Sequence, residues 1–126
     1  SSLEPQISSL AWTQVNLQDQ DQYPRHSHTS TLIRENYILT FGGSDGKKYW
    51  NEALLFDIQK NVYRPVDYTG EAPKARIFHT ACSLDENEVI IFGGHSGDEV
   101  LSDVHILTMY SYDRKFSELE NNFVKV

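Results

Sequence analysis

Apolar residues along this chain fall into short runs broken by turn-forming polar residues, and none keeps the 3.6-residue period of an amphipathic helix. Asn36 to Asp57, NYILTFGGSDGKKYWNEALLFD, sets the pattern: an apolar run, two adjacent glycines, a polar loop with Tyr49 and Trp50, then apolar residues again. Asn87 to Thr108, NEVIIFGGHSGDEVLSDVHILT, does the same. Shifting the sequence by 51 residues superposes Arg25 on Arg76, His28-Thr29 on His79-Thr80, Glu35-Asn36 on Glu86-Asn87, Phe41-Gly42-Gly43 on Phe92-Gly93-Gly94 and Gly46 on Gly97. Nine of the 34 positions from 24 to 57 are identical in this register, against about two expected from average composition.

Each unit predicts four strands. The first covers His28 to Ile33, or His79 to Leu84. A tight turn, REN or DENE, follows, where Asn suits the left-handed conformation. The second strand, Tyr37 to Phe41 or Val89 to Phe92, is nearly all apolar, as in a strand covered on both faces. The glycine doublet is expected to end it, because glycine takes positive φ freely and admits a neighbouring backbone or ring. The third strand is Ala53 to Asp57, or Val104 to Thr108. The fourth carries an aromatic, Tyr63 or Phe116, with Trp12 as the same position of a preceding unit. Pro65 lacks an N–H for a ladder hydrogen bond, so the fourth strand belongs at the outer edge. A four-stranded unit of about 50 residues, repeated, is the signature of propeller blades, and the fold class is all-β.

Composition adds limits. With 126 residues, 39% hydrophobic and 23% charged, the chain suits one globular domain. No run approaches the roughly 18 apolar residues of a membrane span, and the start SSLEPQISSL lacks signal-peptide character. An intracellular setting, cytoplasmic or nuclear, is expected. Cys82 is the single cysteine, so neither an internal disulfide nor a thiolate metal cage can form. The net charge of -7, with no basic cluster beyond Lys47-Lys48, argues against nucleic acid as a partner.

The motif set resembles that of kelch-repeat proteins, in which Gly-Gly is followed after twelve residues by an aromatic and after six more by Trp. From Gly43 the chain supplies Phe56 and then Tyr63; from Gly94 it supplies Leu107 and, after eight residues, Phe116. The linker residues Gly70, Pro73, Arg76 and His79 are similar to the Gly-x-x-Pro-x-x-Arg-x-x-His joint of host cell factor-like kelch proteins, and Arg25 and His28 keep part of it. The resemblance implies blades around a channel, first strand inside and fourth outside, and a role in binding partner proteins through loops gathered on one face. The expected division is an extension (1–10), an outer strand and linker (11–24), two complete blades (25–74 and 75–121) and a tail (122–126). Two blades cannot close a ring of at least about four. The chain is therefore expected to be part of a longer propeller, to complete a ring by self-association, or to stand alone as an unusual two-blade module.

Candidate sites follow from the same register. Arg25, His28, Arg76 and His79 either grip a partner's carboxylate near the channel mouth or bridge neighbouring blades. The loop Ser44 to Asn51, with Asp45, Lys47, Lys48, Tyr49 and Trp50, is the foremost candidate for partner binding, since exposed aromatics serve as interface anchors; the alternative is that Trp50 folds back over the adjacent blade. Lys47-Lys48 align with Asp98-Glu99, so neighbouring loops oppose in charge; they either orient a partner or form a solvated cross-loop salt bridge. His95 joins the loop candidates. Trp12, Gly42, Gly43, Phe56, Tyr63, Gly93, Gly94, Leu107 and Phe116 are expected to be structural.

No cofactor or metal is expected. His26 and His28 share a strand side without a suitably spaced carboxylate or cysteine. Glu99-x-x-x-Asp103 is similar to the start of the iron motif of plant specifier kelch proteins, but Leu107 stands where its His would be. The leading expectation is a non-enzymatic interaction platform. The alternatives are a scaffold segment in a large assembly, or part of a metal-dependent kelch-fold enzyme whose site lies in other blades.

Overall fold

A computed structural model of the protein describes residues 6–17 and 23–110. The described residues hold seven strands and no helix: β1 (Thr29–Ile33), β2 (Tyr37–Phe41), β3 (Ala53–Asp57), β4 (Val62–Pro65), β5 (Thr80–Asp85), β6 (Glu88–His95) and β7 (Val100–Thr108). They form two antiparallel sheets in simple up-and-down order, β1-β2-β3-β4 and β5-β6-β7. Pro65 does lie on the edge strand β4, paired with Leu54. The two sheets are consecutive blades, each with its first strand at one edge.

The blades stack because their facing sides are apolar at the period of two that a strand imposes. Ile33, Leu39, Phe41 and Ala53 of the first sheet meet Val89 and Ile91 of the second in one buried cluster, each at most 5% exposed. Burial of an aliphatic side chain on this scale contributes about 1.5–3 kcal/mol. Backbone bonds stitch the same boundary: Gly43 N–H donates to Arg76 O at 2.9 Å, and Phe78 N–H to Ser27 O at 3.1 Å.

Three expectations need correction. Residues 6–17 form no strand, and Trp12 is fully exposed at 103%; a fourth strand is held by the third strand of its own sheet, and no such strand lies beside it among the described residues. The β1–β2 turn places Arg34 (φ 53°) and Glu35 (φ 66°), not Asn36, in the left-handed region. The strained arginine reaches the next blade's turn, donating from Nε to Asn87 Oδ1 at 3.1 Å and to Glu86 O at 3.3 Å. The doublet Gly42-Gly43 follows the end of β2, but β6 runs through Gly93-Gly94 to His95, with a bulge between Phe92 and Gly94 that absorbs the turn in the backbone. The second sheet has three described strands, and the fourth strand expected around Phe116 lies outside the described residues.

Gly42 is fixed by two constraints at once. Its φ is +71°, and a Cβ there would fall 2.7 Å from His79 Cε1 and 2.9 Å from Arg76 O of the next blade. Gly46 has a similar φ of +94° but open space around it. Gly46→Ala should therefore cost about 1–2 kcal/mol, the price of the left-handed backbone alone, and Gly42→Ala distinctly more; denaturant midpoints of the two variants check the difference.

Candidate functional site

The register of β1 with β2 and of β2 with β3 places the linker 23–28 and the loop 42–52 at one end of the first sheet. The linker 73–79 and the loop 96–99 occupy the same end of the second. All candidate interaction residues lie on this loop face.

Arg25 and Arg76 make equivalent clamps. Arg25 donates from Nη1 to Gly42 O at 2.9 Å and from Nη2 to Glu52 Oε1 at 2.6 Å. Arg76 donates from Nε to Lys74 O at 2.9 Å, from Nη1 to Gly93 O at 3.0 Å, and to both Asp103 oxygens at 2.6 and 2.8 Å. Each clamp ties an inter-blade linker to the end of the second strand and the start of the third within one blade. The guanidinium groups are 4% and 0% exposed as side chains, so a partner's carboxylate would have to displace Glu52 or Asp103. These arginines hold architecture, and neither expected alternative described them: they act inside a blade rather than between blades.

His79 does bridge blades. It is buried, its Nε2 lies 2.8 Å from Thr29 Oγ1 of the first blade, and its ring meets Phe41 edge-on at 5.7 Å. Burial pushes its pKa below the ordinary imidazole value, and the Arg76 charge adds to the shift. His28, at the equivalent place on the first blade, is exposed; its pKa is also lowered, by partial burial and then by Arg25 and His26.

The loop aromatics are partly spoken for. Trp50 lies half-buried beneath the Arg25 guanidinium, 4.3 Å from the ring centroid, with Lys48 Nζ at 5.8 Å; it folds back on its own blade rather than over the adjacent one. Tyr49 crosses to the next loop, where its ring sits against Gly97. Asp45 shapes the loop by accepting from Lys47 N–H at 2.9 Å and Lys48 N–H at 3.0 Å, and these bonds lower its pKa. His95 Nδ1 accepts from Gly97 N–H at 2.9 Å.

Lys47, Lys48 and Asp98 are exposed, and no ion pair among the described residues uses them. The expected cross-loop bridge is therefore replaced: Glu99 pairs with Lys74 of the linker. Glu99 and Asp103 are thus both committed to cations, and no group of three or more His, Cys, Asp or Glu among the described residues is arranged to hold a metal.

Among the residues placed as structural, Phe56 and Tyr63 pack at 4.8 Å between centroids, and Tyr23 extends the stack to Tyr63 at 6.1 Å. Leu107 packs against the inter-blade cluster.

Four residues were given no such role in the sequence reading. Glu52 and Asp103 carried a signal, since both are acidic and 51 residues apart. His105, 2.9 Å from Asp103 Oδ2, stands where the first blade has Leu54. Phe78 gave none: it is 70% exposed at φ +60°, beside its counterpart Ser27, also at φ +60°. Left-handed backbone at an ordinary residue is costly and is kept where surrounding structure imposes it. Phe78 N–H also donates to Ser27 O across the blades at 3.1 Å.

Comparisons with known proteins agree with this geometry. The profile of the KLHDC2/KLHL20/DRC7 Kelch-repeats domain matches residues 3–122. Similar proteins include Kelch domain-containing protein 2 of Bos taurus, 32% identical over 89 residues that make up 70% of this chain and 22% of that protein. The serine/threonine-protein phosphatase BSL2 of Arabidopsis thaliana is 26% identical over 71% of this chain and 9% of its own length. The dynein alpha chain of the flagellar outer arm of Chlamydomonas reinhardtii is 30% identical over 85% of this chain and 2% of its own length. The chain thus spans less than a quarter of each of these relatives.

Arg76→Ala should destabilise the protein by about 3 kcal/mol, the low end for breaking a buried pair because Asp103 keeps one side in solvent; urea unfolding measures it. Stability should fall with acid in two windows. His79 has a lowered folded pKa, so its contribution is complete above the unfolded value of about 6.5 and is lost as pH falls from there toward the folded value. Asp103 is held well below the usual carboxylate range, chiefly by its hydrogen bonds from Arg76, so its contribution is complete above about pH 4 and declines below it. His79→Asn should flatten the first window and Asp103→Asn the second, read from urea midpoints against pH.

Proposed function

This chain belongs to the kelch-repeat family, and we propose that it binds a partner protein, without enzymatic chemistry, through the loop face on which Lys47, Lys48 and Phe78 project. Kelch domains are generally protein-interaction modules. The observation that carries the assignment is a division of labour between repeated and unrepeated positions. Among the residues that recur every 51 positions, Arg25/Arg76 and Gly42/Gly93 are consumed by the clamps and His79 by the blade contact, while His28 and Gly46 stay exposed. The lysine pair and the exposed Phe78 on the loop face, by contrast, differ between blades: Lys47-Lys48 against Asp98-Glu99, and Phe78 against Ser27.

Such a surface suits a partner with acidic groups opposite the lysine pair and an apolar group opposite Phe78. Exposed charges of this kind act mainly on association rate and orientation, whereas an aromatic anchor buried on contact dominates the affinity. Asp98 beside the lysines gives the face a local dipole that fixes which way the partner lies.

The test compares the proteins retained from cell extract by the wild-type chain and by variants. Phe78→Ser copies the residue the first blade carries at the same φ, so the fold should tolerate it. Binding of each wild-type-retained partner should weaken roughly tenfold or more in Phe78→Ser. In Lys47→Glu/Lys48→Glu association should slow, most strongly at low salt. Lys60→Glu, in the β3–β4 turn at the opposite end of the sheet, should change nothing. Retention unaltered by the loop variants would overturn the assignment.

A further inference from the structure

The blade boundary buries a titratable ring, that of His79, with half of its hydrogen-bonding capacity unmet. The residue is 5% exposed. Its Nε2 lies 2.8 Å from Thr29 Oγ1, whereas its Nδ1 is the one buried side-chain polar atom among the described residues that has no hydrogen-bond partner. In the neutral ring Nε2–H can donate to the threonine and leave Nδ1 without a proton. The imidazolium carries N–H on both nitrogens, so its Nδ1–H would be a charged, buried donor lacking an acceptor.

The elements packed around the ring do little to hold that charge. β1 contributes the Thr29 hydroxyl, β2 and the loop after it the Phe41 ring and the bare backbone of Gly42, and β6 the backbone of Gly94. None of these titrates. Burial opposes the charged ring most, and Arg76 from its own linker and His28 from the first linker oppose it too; only the Phe41 carbonyl works the other way. Among the described residues no carboxylate acts on the ring: Asp103, the acid beside Arg76, is taken up by Arg76 and His105. A proton on His79 is therefore compatible with the separated blades and poorly compatible with the closed boundary.

The bonds on either side of His79 show which way the boundary gives. Ile77 is held to the second blade by paired backbone bonds with His95, both 2.9 Å. Toward the first blade the same linker makes only separate bonds, Gly43 N–H to Arg76 O, Arg76 N–H to Trp50 O at 3.1 Å and Phe78 N–H to Ser27 O. At the other end of the boundary Arg34 holds Asn87, with the apolar cluster in between. We propose that His79 is an acid-operated latch: a proton taken from solvent at Nδ1 unseats the ring from Gly42 and Thr29, and the blades part at the loop face while both sheets and the Arg34 end stay closed. The opening is local and precedes the acid loss of global stability. It would also separate the lysine pair on the first blade from Phe78 on the second; that consequence for a bound partner rests on the function proposed above, whereas the latch itself does not.

Amide hydrogen exchange of the full 126-residue chain, followed from neutral to mildly acid pH and corrected for the intrinsic pH dependence of exchange, tests the latch with no partner present. The amides of Gly43 and Phe78, which bond across the boundary, should lose protection below about pH 6.5. The loss should reach about tenfold per pH unit, the slope for one proton taken up on opening. Ladder amides within β2 and β6 should keep their protection over the same range. His79→Gln, which has no titrating ring, should remove the pH dependence at both boundary amides; His79→Asn takes its place if the strand circular dichroism is lost. Thr29→Val removes the partner of Nε2 and should lower protection of both boundary amides already at neutral pH. Equal losses at boundary and ladder amides would make the acid effect global unfolding and overturn the latch. So would boundary amides indifferent to pH, and so would a slope that survives in His79→Gln, which would assign the proton to another group such as His28.

Discussion

Two arginine clamps organise everything else in this blade pair. In each, a guanidinium with almost no solvent contact takes a glycine carbonyl from the end of one strand and a carboxylate from the start of the next. Desolvating a charge is expensive unless it is paired and its donors are satisfied, and both clamps meet that condition with several acceptors at short range. The consequence is geometric. By fixing where the linker crosses the sheet, the clamp sets the path of residues 76 to 79, and so places His79 against Thr29 and Phe41 and Phe78 at the rim.

That arrangement explains why the loop face has little freedom in some places and much in others. Trp50 serves as a platform for Arg25, and Tyr49 as a strut to the next loop, so both aromatics reinforce the scaffold. The lysine pair and Phe78 stand exposed on this stiffened base, with the Lys48 ammonium near the Trp50 ring. A rigid frame with a few divergent residues is an economical way to display a binding surface, because ordering entropy is settled at folding rather than at contact.

The apolar sides of the pair follow from the same period. A blade stabilises itself only by stacking, since a single twisted sheet of short strands has two faces to cover. Among the described residues one boundary is satisfied, by Leu39 and Phe41 against Val89 and Ile91. On the second blade Phe92, the counterpart of Phe41, is exposed.

Sequence alone determined the strand pattern, the repeat and the class of the fold, because side-chain alternation and glycine placement are local properties written at fixed spacing. It placed β2 and β3 and named the glycines, and the recurrence of Arg25 and His28 as Arg76 and His79 was visible as a recurrence. Only the tertiary structure decided what those residues do. Whether Arg76 faces a partner or Asp103, and whether Trp50 reaches outward or lies under Arg25, depends on where side chains from distant positions converge. The left-handed backbone at Phe78 and Arg34 was equally hidden, since neither is a residue type that favours it. Trp12 shows the converse: its sequence promises a strand, but pairing requires a neighbour, and none of the described residues supplies one.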